Sequence, residues 1–358
     1  MPQTVGHQLL LLLRKMPQAE ASDLHLVPGN RPVYRVHGQL TPADANVIPP
    51  GGVLEMVRSI ADPRMTLRLD SGEDLDFAIQ VPDGAAMHRF RVNVFSARGD
   101  RGACLRAIPE RIPSLAELGF PADLGEKIIA ATSGLVLVTG VTGSGKTTSI
   151  AALIQLLNAR GNCRIITVEE PIEYLFPACG DSIVTQREVG ADVSTFHDGL
   201  RSGLRQDPDV LLVGEIRDRE TAQLALTAAE TGHLIFGTMH SADAKGSITR
   251  LVDLFPAEMH DDIRTQLSMS LRCVVAQHLL PGAQAARRVL AMEVMFANFG
   301  VKSAIRQGKL ENIDTAIQSG RRDGMWSLDI DLRRLVNEKK IALETAREFA
   351  KDSAEFSS

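Results

Sequence analysis

Apolar and polar positions change rhythm partway along the chain. Up to about residue 108 the rhythm is mostly twofold, as in half-buried strands. Residues 1–16 carry helical spacing and predict an amphipathic first helix. Ala21–Val27 alternates and turns at Pro28-Gly29-Asn30, and Pro32–Val36 resumes the strand, a hairpin signal. Thr41–Pro50 reads as a polar loop and Val53–Ala61 as a helix. Asp74–Val81, Met87–Ala97 and Ala103–Ile108 alternate again, with Pro82-Asp83-Gly84 turning between the first two. Residues 1–108 therefore predict a small α+β domain of antiparallel hairpins. Two prolines stiffen a short linker at 109–114.

From about 115 the rhythm becomes one of apolar strands alternating with helices. Strands are expected at Leu135–Thr139, Arg164–Val168, Val210–Val213, Leu234–Thr238 and Val289–Val294. This predicts a doubly wound α/β core with a mostly parallel sheet. After Asn298 only helices are expected: Val301–Arg306, Ile313–Gln318, Leu328–Glu338 and Leu343–Lys351.

The core's first strand runs into Gly140-Val-Thr142-Gly143-Ser144-Gly145-Lys146-Thr147-Thr148, a full P-loop opening a helix that reaches Asn158. Glycines let backbone N–H groups wrap a phosphate, and the helix N-terminus adds partial positive charge. Lys146 is placed to neutralise β- and γ-phosphates, and the Thr147 hydroxyl to bind Mg²⁺. The strand–loop–helix context makes this a specific signal for a nucleoside triphosphate.

Other candidate residues follow the strands, where α/β proteins bind ligands. Glu169-Glu170-Pro171-Ile172-Glu173 follows the second core strand. Three carboxylates there can orient a water or hold Mg²⁺ through waters, or form a solvated acidic loop. Val210–Val213 ends in Gly214-Glu215, a Walker B pattern with Gly214 where an Asp is usual, so Glu215 carries the acidic role alone. His240 ends the next strand and either senses the γ-phosphate or is structural; His233 lies at that strand's other end. Arg91 and Arg106 in the first domain, and Arg201 and Arg205 on one helix face, are candidates for the positive charge that phosphoryl transfer needs.

Composition narrows the rest. The chain has 358 residues, more than one comfortable core, so two domains are expected. A net charge of −5 and only 4% aromatics argue against nucleic acid and base stacking. Cys104, Cys163, Cys179 and Cys273 form no CxxC, which fits a reducing cytoplasm and argues against stable zinc. Leu9–Leu13 is too short for a signal peptide and is followed, not preceded, by Arg14-Lys15. No stretch approaches the ~20 apolar residues of a membrane span, so a membrane role would be peripheral.

Together with residues 21–26 and 89–95 and the P-loop, the segments 166–174, 205–218 and 231–240 make the chain similar to the PilT family of type IV pilus retraction ATPases, within the secretion ATPase superfamily. The resemblance spans about residues 4 to 350. It implies a RecA-like P-loop core, preceded by a PAS-like α+β domain, and an ATP- and Mg²⁺-dependent motor. It further implies a cytoplasmic homohexamer that docks peripherally at the inner membrane on the pilus platform protein, with a paralogous ATPase as a candidate partner. By the same resemblance Glu173 is the general base, Glu215 the Walker B glutamate and His240 the γ-phosphate sensor. Arg91 and Arg106 resemble arginine fingers, and Arg201 and Arg205 match family arginines near the phosphates. The C-terminal window matching the family's AIRNLIRE motif is residues 300–307. It keeps Arg306 but has Lys302 for Arg and Gln307 for Glu, which makes an accessory, PilU-like subunit the second reading. The absence of the tetracysteine motif of extension and secretion relatives favours the retraction branch.

Overall fold

The computed structural model describes residues 5–284 and 288–356, without the side chains of Val5, Gly6 and Arg64. The chain divides into two compact units, residues 1–111 with 170–175, and residues 112–169 with 176–358.

The first unit contains α1 (Val5–Gln18), β1 (Ala21–Leu26), β2 (Val33–Val36), β3 (Gln39–Pro42), α2 (Gly52–Arg58), α3 (Pro63–Asp70), β4 (Leu75–Asp83), β5 (Ala86–Ala97) and β6 (Asp100–Ile108). Its six strands form one antiparallel sheet in the order β3-β2-β1-β6-β5-β4. Leu9, Leu13 and Met16 of α1 pack with Leu24, Phe90 and Leu105 of the sheet. Each such side chain contributes roughly 1.5–3 kcal/mol on burial. The Tyr34 hydroxyl donates to the Leu12 carbonyl at 2.9 Å, tying helix to sheet. The first four residues of the expected first helix lie outside the described residues. Two elements were not expected. Every residue of β3 is exposed, so it carries no alternation. The start of α3 is written in the sequence nonetheless: Asp62 caps it by accepting from Met65 N, and Pro63 fills the first turn.

The second unit opens with α4 (Leu124–Ile129), β7 (Gly134–Thr139), α5 (Lys146–Arg160), β8 (Arg164–Glu169), β9 (Ile183–Glu188), α6 (Phe196–Gly203), β10 (Val210–Val213), α7 (Arg219–Glu230), β11 (Leu234–Met239), α8 (Ala244–Val252) and α9 (His260–Ser270). It continues with β12 (Leu271–Pro281), β13 (Arg288–Phe296), α10 (Phe299–Gln307), α11 (Asn312–Ser319), α12 (Leu328–Asn337) and α13 (Leu343–Phe349). The sheet order is β13-β12-β7-β11-β10-β8-β9, parallel except for the β12–β13 pair. This is the RecA-like arrangement. β7, β10 and β11 are buried along their whole length, because helices cover both faces of a parallel sheet. One apolar cluster, around Leu135, Leu211 and Leu226, lies on one face; another, around Val136, Leu153 and Phe236, lies on the other. Two strands escaped the sequence reading. β9 is half-polar and borders the sheet. β12 follows α9 with no glycine or proline between them, so no breaker marks the change.

Candidate active site

The P-loop is shaped by three glycines with positive φ. Gly140 has φ +144°, and a Cβ there would lie 2.5 Å from both the Gln277 carbonyl and the Ser144 hydroxyl. Gly143 and Gly145 sit at +81° and +88°, the left-handed region that favours glycine. α5 then begins at Lys146 with no side-chain cap from Gly145, and a helix N-terminus attracts anions through its partial positive charge. The Lys146 ammonium is nearly buried and donates to the carbonyls of Gly140 at 2.8 Å and Val141 at 3.2 Å. Burial pulls its pKa below the ordinary lysine value, against an opposing pull from the Glu215 charge. Ser144 Oγ is buried without a hydrogen-bond partner. Thr142 and Thr147 are exposed on the loop and helix start, and Thr148 is half-buried. A glycine-shaped loop running into a helix start, an ammonium that donates to loop carbonyls and a buried hydroxyl without a partner among the described residues fit a bound polyphosphate.

Glu215 leaves β10 half-buried. One carboxylate oxygen lies 2.8 Å from Arg217 Nη2 and the other 3.3 Å from His240 Nε2. Burial raises its pKa, but the hydrogen bonds and charges of Arg217 and His240 outweigh that, and the net shift is downward. An ionised carboxylate at this strand end, with an exposed Thr147 hydroxyl at the start of α5, is a donor set suited to Mg²⁺. The glycine in place of the usual aspartate also has a steric reason. A Cβ on Gly214 would sit 3.1 Å from the Val168 carbonyl and 3.2 Å from the Phe196 ring. His233, at the far end of β11, turns Nδ1 toward the Ala228 carbonyl at 3.1 Å.

α6 ends at Gly203, so the two arginines expected on one helix face are split: Arg201 is helical, whereas Arg205 lies two residues past the helix. Both line an open pocket of about 340 Å³ with Asp198 and Ser202. Glu169 is buried at the end of β8, where its Oε1 accepts from the Thr167 hydroxyl at 2.6 Å and the Gln186 amide at 3.1 Å. These bonds fix its Oε1 within the sheet.

The other candidates belong to the first unit. Arg91 and Arg106 face each other across β5 and β6. Arg91 Nε lies 2.9 and 3.1 Å from the two Asp76 oxygens, and its Nη1 is 3.4 Å from Glu173 Oε1. Arg106 Nε donates to Asp23 at 2.8 Å. The segment carrying Glu173 is gripped by Arg89, which donates to the carbonyls of Ile172 at 3.0 Å and Glu173 at 3.2 Å.

Sequence reasoning missed several residues that position this machinery. Arg89 and Arg217 were visible only as ordinary surface charge. Gln277, on the unforeseen β12, is fully buried and donates from Nε2 to Ser149 Oγ on α5 at 2.8 Å. A polar residue inside the apolar run Val274–Leu280 was the available signal. The next residue, His278, lies 2.9 Å from the Ala242 carbonyl through Nε2.

Sheet, loop and acidic strand end together define a P-loop nucleoside triphosphatase with a RecA-like core. A family model described as type II/IV secretion system protein matches residues 4–351. The type IV pilus retraction ATPase PilT of Pseudomonas aeruginosa is 41% identical over 331 residues, covering 92% of this chain and 94% of that protein. The twitching motility protein of Neisseria gonorrhoeae is 38% identical over 353 residues, covering 99% and 93%. A crystal structure of the pilus retraction motor PilT with bound ADP superposes with a TM-score of 0.87 at 39% identity, covering 97% of this chain and 98% of that one. The chain belongs to the type II/IV secretion system protein family, in its PilT-type branch, and is a nucleotide-binding ATP hydrolase. Among the described residues no helix is long and apolar enough to cross a membrane.

Proposed function

We propose that this chain is a motor ATPase that retracts type IV pili, working as a homohexamer docked on the inner-membrane platform protein of the pilus machine. The observation that carries this reading is the P-loop with Lys146 beside the Glu215–His240 pair, in a chain matched over nearly its whole length by retraction ATPases. In this reading residues 140–148 hold the phosphates of ATP. Thr147 and Glu215 hold Mg²⁺, which when bound neutralises charge on the phosphates. Glu173 orients and deprotonates the attacking water, and His240 reads the γ-phosphate. Arg91 and Arg106 leave their carboxylate partners to stabilise charge on the transferring phosphoryl group, and Arg201 and Arg205 add positive potential.

The base assignment is tested by Glu173→Gln. Turnover should vanish while nucleotide affinity stays. Wild-type hydrolysis in that variant would remove Glu173 from the role. Retraction itself is tested by deleting the gene: hyperpiliated, non-twitching cells support it, and loss of surface pili refutes it. The second reading, an accessory subunit whose own hydrolysis is dispensable, is favoured by Lys302 and Gln307 on α10. Purified chain that binds nucleotide without steady-state hydrolysis would select it.

A further inference from the structure

The segment after His240 is held from several directions, and one of its anchors comes from the far C-terminus. Ser247 Oγ on α8 donates to Thr139 Oγ1 at 3.1 Å and lies 2.6 Å from Ser241 Oγ. These contacts join the segment to the residue just before the P-loop. At the segment's other end Asp243 caps α8 by accepting from Gly246 N, and the Ala244 N–H donates to Glu293 Oε1 at 2.9 Å. Glu293 sits on β13 and is 1% exposed. A carboxylate that deep is costly to keep ionised unless a cation meets it.

The cation is Lys351. Its Nζ lies 2.9 Å from Glu293 Oε2, 3.4 Å from Asp243 Oδ2 and 4.0 Å from Asp314 Oδ1 on α11. Asp314 also receives Lys245 of α8, at 2.8 Å. The backbone around Lys351 is itself clamped. The N–H groups of Lys351 and Asp352 donate to the two oxygens of buried Asp329, at 2.8 and 3.1 Å. The amine is therefore presented from a fixed point on α12, and it bridges the segment behind His240 to the C-terminal helices.

We infer that Lys351 is a positioning residue for ATP hydrolysis. It fixes the Asp243–Ala244 end of the segment that aims His240 at Glu215. The inference rests on the reading of His240 as γ-phosphate sensor. Without the amine, Glu293, Asp243 and Asp314 repel one another, and the segment shifts. A displacement of this kind acts on the chemical step, whereas the P-loop that binds ADP keeps its own contacts.

The test uses the full chain, with steady-state hydrolysis, ADP affinity from a fluorescent nucleotide and thermal melting. Lys351→Met should lower kcat roughly tenfold, the scale of a misplaced catalytic group, with ADP affinity within threefold. Lys351→Arg should restore at least half the rate. The double variant Glu293→Gln with Lys351→Met removes the buried charge imbalance and stays folded, and its kcat should remain low. His240→Ala separates the two readings. If it hydrolyses at the wild-type rate, the sensor reading falls and this inference with it. If His240→Ala is impaired while either Lys351→Met or the folded double variant turns over normally, the inference alone is overturned. It is equally overturned if kcat, ADP affinity and melting temperature fall in parallel.

Discussion

The P-loop lysine of the second unit and the candidate arginines of the first are held in opposite ways. In the second unit the Lys146 ammonium hydrogen-bonds, among the described residues, to the carbonyls of its own loop and to no carboxylate, although the Glu215 charge also acts on it. In the first unit Arg91 is chelated by Asp76 and touches Glu173, and Arg106 is paired with Asp23. A charge left unneutralised is a standing binding site. A charge parked on a carboxylate must break an ion pair before it can serve a phosphate. The P-loop is therefore built to bind, and the role proposed for the first-unit arginines requires them to leave their partners.

The largest break in this comparison is Lys146→Ala. Removing a preorganised donor from a charged site costs about two to three orders of magnitude in kcat, and nucleotide affinity should fall with it. Steady-state hydrolysis and ADP titration check this. A variant that binds ADP normally would mean that the loop N–H groups alone account for affinity.

Next in size is a pH dependence. Burial holds the Lys146 amine below the ordinary lysine value in the free protein. A bound polyphosphate raises it again. Between the free and bound values binding takes up a proton, so ADP affinity should fall as pH rises on the alkaline side, by up to about tenfold per unit. Affinity that stays flat to the alkaline limit of folding would show that the bound phosphate does not engage this amine.

Much of the core was legible because β7, β10 and β11 are buried on both faces and read as unbroken apolar runs. The edge strands β3 and β9 were not, since exposure lets them carry polar residues. The P-loop was legible residue by residue, because its function is local: glycine φ values, one ammonium and a helix start, all within nine positions. The pairings that set the rest are long-range. Nothing in Arg91 says that Asp76 chelates it, nor in Glu293 that a lysine near the C-terminus neutralises it. Those partners are chosen by strand register and helix packing. Charge type in sequence carries the candidate, and the fold decides whether it is free or parked.

Parking can be altered directly. Among the described residues, Asp76→Asn leaves Glu173 as the one carboxylate paired with Arg91, at 3.4 Å. Ion pairing worth about 1 kcal/mol then shifts onto Glu173, which lowers its availability for the proposed role of base. kcat should fall about three- to fivefold with ADP affinity unchanged. An unchanged kcat would show that Arg91 and Glu173 act independently.

The smallest effect belongs to the other parked pair. Asp23 is buried while the Arg106 side chain is 67% exposed. Burial pushes the Asp23 carboxyl up, but hydrogen bonds from Arg106 and Ser22 and the Arg106 charge outweigh it, and its pKa is lowered. A lowered carboxyl stabilises the fold fully above its unfolded value, and that contribution is lost as pH falls through the folded value. Asp23→Asn should therefore cost stability at neutral pH, by no more than about 1 kcal/mol because the partner is solvated, and should flatten the acid limb of the melting curve below about pH 4. The same variant frees Arg106. If the arginine is a switch held in reserve, hydrolysis should stay at or above the wild-type rate although the fold is weaker. If the rate falls with stability, the Arg106–Asp23 pair is scaffold, and the contrast between the two units narrows to Arg91 alone.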